Sequence, residues 1–277
     1  MNLDYYGTKE YVRMECDANN IGVVFHKKGE IPSPYSTGDT LHLIEPNGSW
    51  TQEEWDIWLY EVLHEIGHES PENVHPHWKT VLTETGVRSG TFFGSIMNLL
   101  SDHVQEHNRV GKLRGRDYAL KRGRSLFTSS RLLSPDVLDK PRGSREEKAF
   151  KVLAITDAMH RMFWNEQLVG VEHAIDSFDN DEIDMYNSVI DSGVRIDTGR
   201  DEWDVYDMTK KLLDAMGFDA DEEEEKAKGK PEGEGGSKGE SGDEEGGEGQ
   251  GKPGEGEDFA DKMKDMIYHT HYEQPEG

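Results

Sequence analysis

Thirty-eight consecutive residues, 219–256, are mostly Gly, Glu, Asp and Lys, with two alanines, Ala220 and Ala227, and two prolines as their only apolar side chains. Such a stretch cannot bury enough surface to offset the entropy of ordering it, so the sequence predicts a disordered acidic Gly/Glu-rich linker there. A Gly-rich coil of this length spans roughly 35 Å on average. Any core in the 277-residue chain must then come from residues 1–218, enough for one sizeable core or two small ones. Beyond the linker, "EDFADKMKDMIYHTHY" regains an apolar stripe of Phe259, Met263, Met266 and Ile267. Residues 257–277 are therefore expected to form an amphipathic helix on a tether, docking on a partner.

The formal charge of −26 is unevenly placed. Residues 1–108 carry 6 Lys/Arg against 17 Asp/Glu, 109–151 carry 13 against 5, 152–218 carry 5 against 15, and 219–277 carry 7 against 20. A single basic segment interrupts an acidic protein. Its Arg109, Lys112, Arg114, Arg116, Lys121, Arg122, Arg124 and Arg131 could contact phosphates, but an overall pI near 4.8 makes nucleic acid an unexpected partner. The lone Cys16 excludes an intramolecular disulfide and a Cys-ligated zinc finger. No basic start leads into an apolar segment, and no run of 18 apolar residues occurs, so a cytoplasmic protein without a membrane span is expected.

Within the foldable part, Ile21 to Phe25 and Thr40 to Ile44 read as two strands around a Pro/Ser/Gly loop. "NGSWTQEE" then supplies a helix start, with Ser49 or Thr51 as N-cap and Glu54 as the capping-box partner of Thr51. Trp55, Trp58, Leu59, Val62, Leu63 and Ile66 continue at helical spacing to about Glu69, where Ser70-Pro71 ends the run. Helices are also predicted over about 76–84 and 91–109, and two or three more over 145–217. The acidic stretch "DSFDNDEIDMYNS" reads as a solvated loop, since it lacks the ordered ligand spacing of a calcium loop. The sum is a predominantly helical α+β fold.

The helix from Trp55 to Glu69 carries His64, Glu65 and His68 in the pattern His-Glu-x-x-His. Histidines at i and i+4 share one helix face, where both imidazoles can reach one Zn²⁺ at about 2.0–2.1 Å. Glu65 stands beside them, placed to take a proton from a water, which is the division of labour of a metallopeptidase. With 12 His and 32 Glu in 277 residues, roughly 0.06 chance occurrences are expected, so the pattern is more than composition.

A catalytic zinc needs a third protein ligand, and several residues compete. In "SIMNLLSDHVQEHNR", Asn98, Asp102 and Glu106 form a polar stripe at i, i+4 and i+8. Asp102 could reach the metal while Asn98 or Glu106 bonds a ligand from behind. His75 and His77 are rivals. The metzincin spacing fails, because Val74 and Pro71 stand where its third histidine and its glycine belong. Tyr118 is a candidate for polarising a carbonyl.

Over roughly residues 40–118 the sequence resembles the zincin metallopeptidases. It is most similar to the metallopeptidase-like domains associated with von Willebrand A modules and cobaltochelatase-like proteins, many of them from bacteriophages. In those domains a His-Glu-x-x-His helix is followed by a helix reading approximately Asn-Leu-Leu-Glu-Asp-x-x-x-Glu. The counterpart here is "NLLSDHVQE", keeping Asn98, Asp102 and Glu106 but with Ser101 in place of the acid. The resemblance implies a zincin-like domain over 1–130, with a small N-terminal sheet packed on the metal helix. A helical subdomain would follow over 131–218.

The resemblance further implies Zn²⁺ as cofactor, a protein or peptide substrate, and Asp102 as third ligand. Gluzincins carry a glutamate ligand with an aspartate four residues later, and Asn98 stands in that glutamate's place. A von Willebrand A module is not evident. Two functional expectations follow. One is a zinc metallopeptidase with Glu65 as base. The other is an inactive adaptor whose tethered helix recruits a protein such as an AAA-type ATPase, a partner class that the family context implies.

Overall fold

A computed structural model describes residues 5–18, 20–27, 29–31, 34–36, 40–46, 49–69, 78–110, 117–129, 143–162 and 171–228. His75, His77, the side chain of Tyr118, the expected linker beyond residue 228 and the C-terminal 257–277 segment lie outside the described residues. The fold is mostly helical with one small sheet. Among the described residues no helix is long and apolar enough to cross a membrane.

The N-terminal part runs α1 (Tyr5–Ala18), β1 (Gly22–His26), β2 (Tyr35–Ser36), β3 (Thr40–Ile44) and α2 (Gln52–Glu69). The sheet order is β1-β3-β2. β1 runs parallel to β3, pairing Gly22 with Thr40 through His26 with Ile44, and β2 lies antiparallel on β3's other side. The predicted two strands are present, and the loop between them contributes the short third strand.

α2 opens as the capping pattern predicts. The Thr51 amide donates to Glu54 Oε2 at 2.5 Å and the Glu54 amide to Thr51 Oγ1 at 3.3 Å, which selects Thr51 over Ser49 as the cap. One face of α2, with Trp55, Trp58, Val62 and Ile66, packs on Leu41 and Leu43 of β3 and on Val12 and Cys16 of α1. The Trp58 indole donates to the Ile44 carbonyl at 2.9 Å, so burying this large ring leaves its N–H satisfied and pins the helix to the sheet.

A second face of α2, with Ile57, Tyr60 and Leu63, packs against Leu120 and Phe127 of α5 (Asp117–Phe127). α5 comes this close because of Gly123. A Cβ there would collide with the Asp56 carbonyl oxygen and the Tyr60 Cβ. Burial on two sides leaves the third face of α2, bearing His64 and His68, as the one available for a site.

The remaining elements are α3 (Trp78–Thr85), α4 (Phe92–Val110), α6 (Arg145–Met162), α7 (Val171–Asp176), α8 (Asn180–Asp191), a 3₁₀ turn (Ile196–Thr198), α9 (Glu202–Ala215) and α10 (Ala220–Ala227). The largest core joins Val81 of α3 and Phe93, Ile96, Met97, Leu100 and Val104 of α4 to the helices from α6 to α10. The expected division of the chain near residue 130 therefore does not divide the cores, since α4 belongs to the C-terminal one while facing α2.

Two expectations are corrected. The stretch read as an acidic loop contains α8. Asp179 caps it in a reciprocal box with Glu182, while Glu182, Met185 and Val189 turn inward and the other acids stay exposed. Counting acids obscured that spacing. The predicted linker, likewise, does not begin at 219, because Ala220–Ala227 is helical. Ala220 and Ala227 are both buried, the Asp219 side chain caps the start, and Lys210 pairs with Glu224 at 2.9 Å. The segment docks further through the Arg88 amide, which donates to the Ala227 carbonyl at 3.0 Å. Paired acids and two small buried residues suffice where composition alone predicted disorder.

Candidate metal centre

α2 delivers His64 and His68 one turn apart, and α4 delivers Asp102 to the same point. His64 Nε2 lies 3.0 Å from His68 Nε2, and Asp102 Oδ1 lies 3.7 Å from the first and 3.4 Å from the second. Among the described residues this is the one group of three His, Cys, Asp or Glu side chains whose ligand atoms lie within 4.8 Å of one another. Three donors held by one ion at 2.0–2.1 Å in a tetrahedral arrangement stand about 3.4 Å apart. The observed triangle thus has the size of a zinc site, and two imidazoles with one carboxylate are a suitable donor set. The three side chains keep 13 to 18% of their surface exposed, so the centre opens to solvent on one side.

Behind the triangle the environment is closed. Glu106 of α4, 1% exposed, meets His64 Nδ1 at 2.7 Å through Oε1. An ionised carboxylate only accepts, so Nδ1 carries the proton and donates, leaving Nε2 for a metal. Gln105 adds a bond to the backbone, donating from Nε2 to the His64 carbonyl at 2.9 Å. Asn98 is exposed and donates to Asp102 Oδ2 at 3.3 Å, which fixes the carboxylate from its outer side. Asn98 stands where a gluzincin has its glutamate, and its amide is directed to Asp102. Asp102, and Glu106 one helical turn further along, stand beside the two histidines and behind His64 respectively.

The network continues inward. The Tyr60 hydroxyl donates to Glu106 Oε1 at 2.8 Å and accepts from Arg124 Nη1 at 2.5 Å. Arg124 also lies 3.8 Å from Glu106 Oε2 and 3.4 Å from Asp157 Oδ2 of α6. His103 Nδ1 bonds Asp157, both side chains being fully buried. The carboxylates of Glu106 and Asp157 flank the guanidinium and the charge of Asp102 also acts on it, so acids are in excess.

The titration of the site reflects that excess. Burial by itself would lower the His64 pKa. The charges of Asp102, Glu106 and Glu65 and the hydrogen bond from Glu106 outweigh it and raise the value to about 9. For Arg124 burial also acts downward, and Tyr60, Glu106 and Asp157 overcome it, so the guanidinium stays charged. A divalent cation between His64, His68 and Asp102 would balance the same charges that here hold a proton on His64.

The sequence signalled His64, Glu65, His68 and the Asn98/Asp102/Glu106 stripe. It missed Tyr60, Arg124, Asp157, His103 and Gln105. Tyr60 precedes His64 by one helical turn and could have been placed on that face. Asp157 interrupts the apolar run "FKVLAITDAM", an anomaly that marks a buried acid. Arg124, grouped by sequence with a phosphate-binding surface, is instead 5% exposed and enclosed by Tyr60, Glu106 and Asp157. Its neighbour Arg122 pairs with Asp56 at 2.6 Å.

No protein-family model matches this chain, and comparison with curated proteins and with solved structures finds no match to either.

Proposed function

We propose that the protein is a zinc-dependent metallopeptidase with a zincin-like core, in which His64, His68 and Asp102 hold the metal and Glu65 is the general base. The observation that carries this reading is the convergence of His64 Nε2, His68 Nε2 and Asp102 Oδ1 on one point, with Glu106 behind His64 Nδ1. The order of elements agrees with it: a small sheet packs on the helix bearing His-Glu-x-x-His, and a later helix brings the acidic ligand.

Zn²⁺ bound there would supply Lewis acidity, polarising a peptide carbonyl and acidifying a water. The chain's residues do the rest. Glu65, one residue along from His64, accepts the proton of the attacking water and returns it to the leaving amine. With the metal bound, Glu106 would keep the remaining His64 proton on Nδ1, and Asn98 donates to the Asp102 carboxylate from its outer side. Partial exposure of the three ligands leaves one side open to a peptide.

Metal analysis of protein purified without chelator tests the reading. About one equivalent of zinc is expected in the wild type, with loss in His64→Ala and Asp102→Ala. Glu65→Gln is expected to retain the metal and lose hydrolysis of a fluorogenic peptide library. Absence of zinc from the wild type would refute the metal centre. Full activity of Glu65→Gln would refute the role of that residue.

A further inference from the structure

The buried chain behind the metal site has a direction, and the direction can be read from donor and acceptor chemistry alone. Arg124 has donors only. Its Nη1 donates to the Tyr60 oxygen at 2.5 Å, so the single phenolic proton is left to point the other way, to Glu106 Oε1 at 2.8 Å. Glu106, ionised beside the Arg124 guanidinium, has no proton of its own, so the same oxygen also accepts from His64 Nδ1, 2.7 Å away. The opposite imidazole tautomer would set a nitrogen lone pair against a carboxylate lone pair. Arg124 cannot reverse its role, which fixes the Tyr60 bond, and its charge beside Glu106 favours the ionised carboxylate that fixes the next one.

We infer that Tyr60 and Arg124 are positioning residues for the metal centre, acting through Glu106 to fix the ring orientation and tautomer of His64. The inference rests on the metal site proposed above. Three further observations support it. Arg124 and Glu106 are 5% and 1% exposed, so water does not replace these bonds. Tyr60 lies on α2, Arg124 on α5, and Glu106 on α4, so the chain ties the ligand-bearing helices at the level of the site. Arg124 Nη2 is anchored in turn by Asp157 of α6 at 3.4 Å, which places the guanidinium independently of Tyr60.

Groups that orient a metal-binding histidine from behind typically change metal affinity by about 10–100-fold when removed. The test measures Zn²⁺ affinity of the full-length protein by competition with a chromophoric chelator, alongside the visible spectrum of the Co²⁺ form. Tyr60→Phe is expected to weaken Zn²⁺ at least about 10-fold and to alter the Co²⁺ bands, with melting of the metal-free protein moved little. In a Glu106→Gln background the same substitution should cost much less, because both act through one carboxylate.

Glu182→Ala, which removes the buried partner of Lys151 on α8, should destabilise the fold without lowering affinity, which separates positioning from general loosening. If Tyr60→Phe does not fold, Arg124→Lys, which keeps the charge but loses the planar fork, carries the same expectation. Unchanged affinity and spectrum in the folded variant, or full additivity with Glu106→Gln, would overturn the inference. A wild type that binds no metal would instead refute the site itself.

Discussion

Metal binding at this site should release a proton at neutral pH and strengthen as pH rises. In the metal-free protein His64 has its pKa raised from 6.5 to about 9. Burial opposes the rise, and Asp102, Glu106 and Glu65 produce it. A metal needs the Nε2 lone pair, so below that value it must displace a proton. From pH 7 to pH 9 the affinity should rise about tenfold per pH unit, about 100-fold in all or about 2.7 kcal/mol, and then level off. Stability follows with a definite sign. A pKa raised on folding stabilises the metal-free protein fully below about 6.5, and that contribution disappears as pH climbs through about 9. The chelated protein should therefore lose melting temperature across that window, while the zinc-loaded protein gains on it. Calorimetric titration with Zn²⁺ at pH 7, in two buffers of different ionisation enthalpy, gives the proton count directly. Close to one proton per metal is expected. Proton-free binding with a flat affinity between pH 7 and 9 would show that His64 is not a protonated group awaiting a metal.

Other consequences can be checked separately. Gly123→Ala forces a methyl onto the Asp56 carbonyl and the Tyr60 Cβ. The overpacking, about 3 kcal/mol, should exceed the roughly 1 kcal/mol of helix propensity gained, and denaturant unfolding should show a net loss. Lys151 and Glu182 form a pair 3.1 Å apart with side chains only 5% and 3% exposed. Removing the acid alone by Glu182→Ala should cost about 3–5 kcal/mol, whereas Lys151→Met with Glu182→Leu should recover most of it; equal losses in both proteins would contradict a desolvated pair. Burial would raise the Glu224 pKa, but hydrogen bonds from Tyr206, Lys228 and Lys210 lower it to about 2. Its contribution is then present above about 4.5 and lost as pH falls toward 2. Glu224→Gln should flatten that part of the acid-unfolding curve.

Local signals in the sequence were strong where one element explained itself. The α2 cap, the apolar spacing from Trp55 to Ile66 and the His64/His68 pair all lie within 19 residues. Their reading needed no tertiary information. The residues alone narrowed the candidate third ligand to a stripe, and Asp102 was picked out of it only through the family resemblance, because the choice depends on which turn of α4 faces α2. That rotation is set by Phe93, Ile96, Met97 and Leu100 packing into the C-terminal core. Arg124 and Asp157 were illegible for a related reason. A charged side chain declares itself as buried only when its partners arrive, and those partners sit 18 to 64 residues away. The helix at 220–227 was hidden by composition, since its stability comes from lysines and a tyrosine on α9 and beyond, not from its own apolar content.

α4 presents one flank to α2 and buries the other in the helices that follow. The two histidines thus come from the N-terminal core, while the carboxylate opposite them is placed by a core completed only when residue 227 has docked. An ion at this point would act as a rivet between two separately built halves. Metal occupancy would then report assembly of both cores: a nascent or clipped protein lacking Glu202–Ala215 and Ala220–Ala227 would hold His64 and His68 in place and still bind metal weakly. Any hydrolytic power of the site would by the same logic be withheld until Ala220–Ala227 has docked.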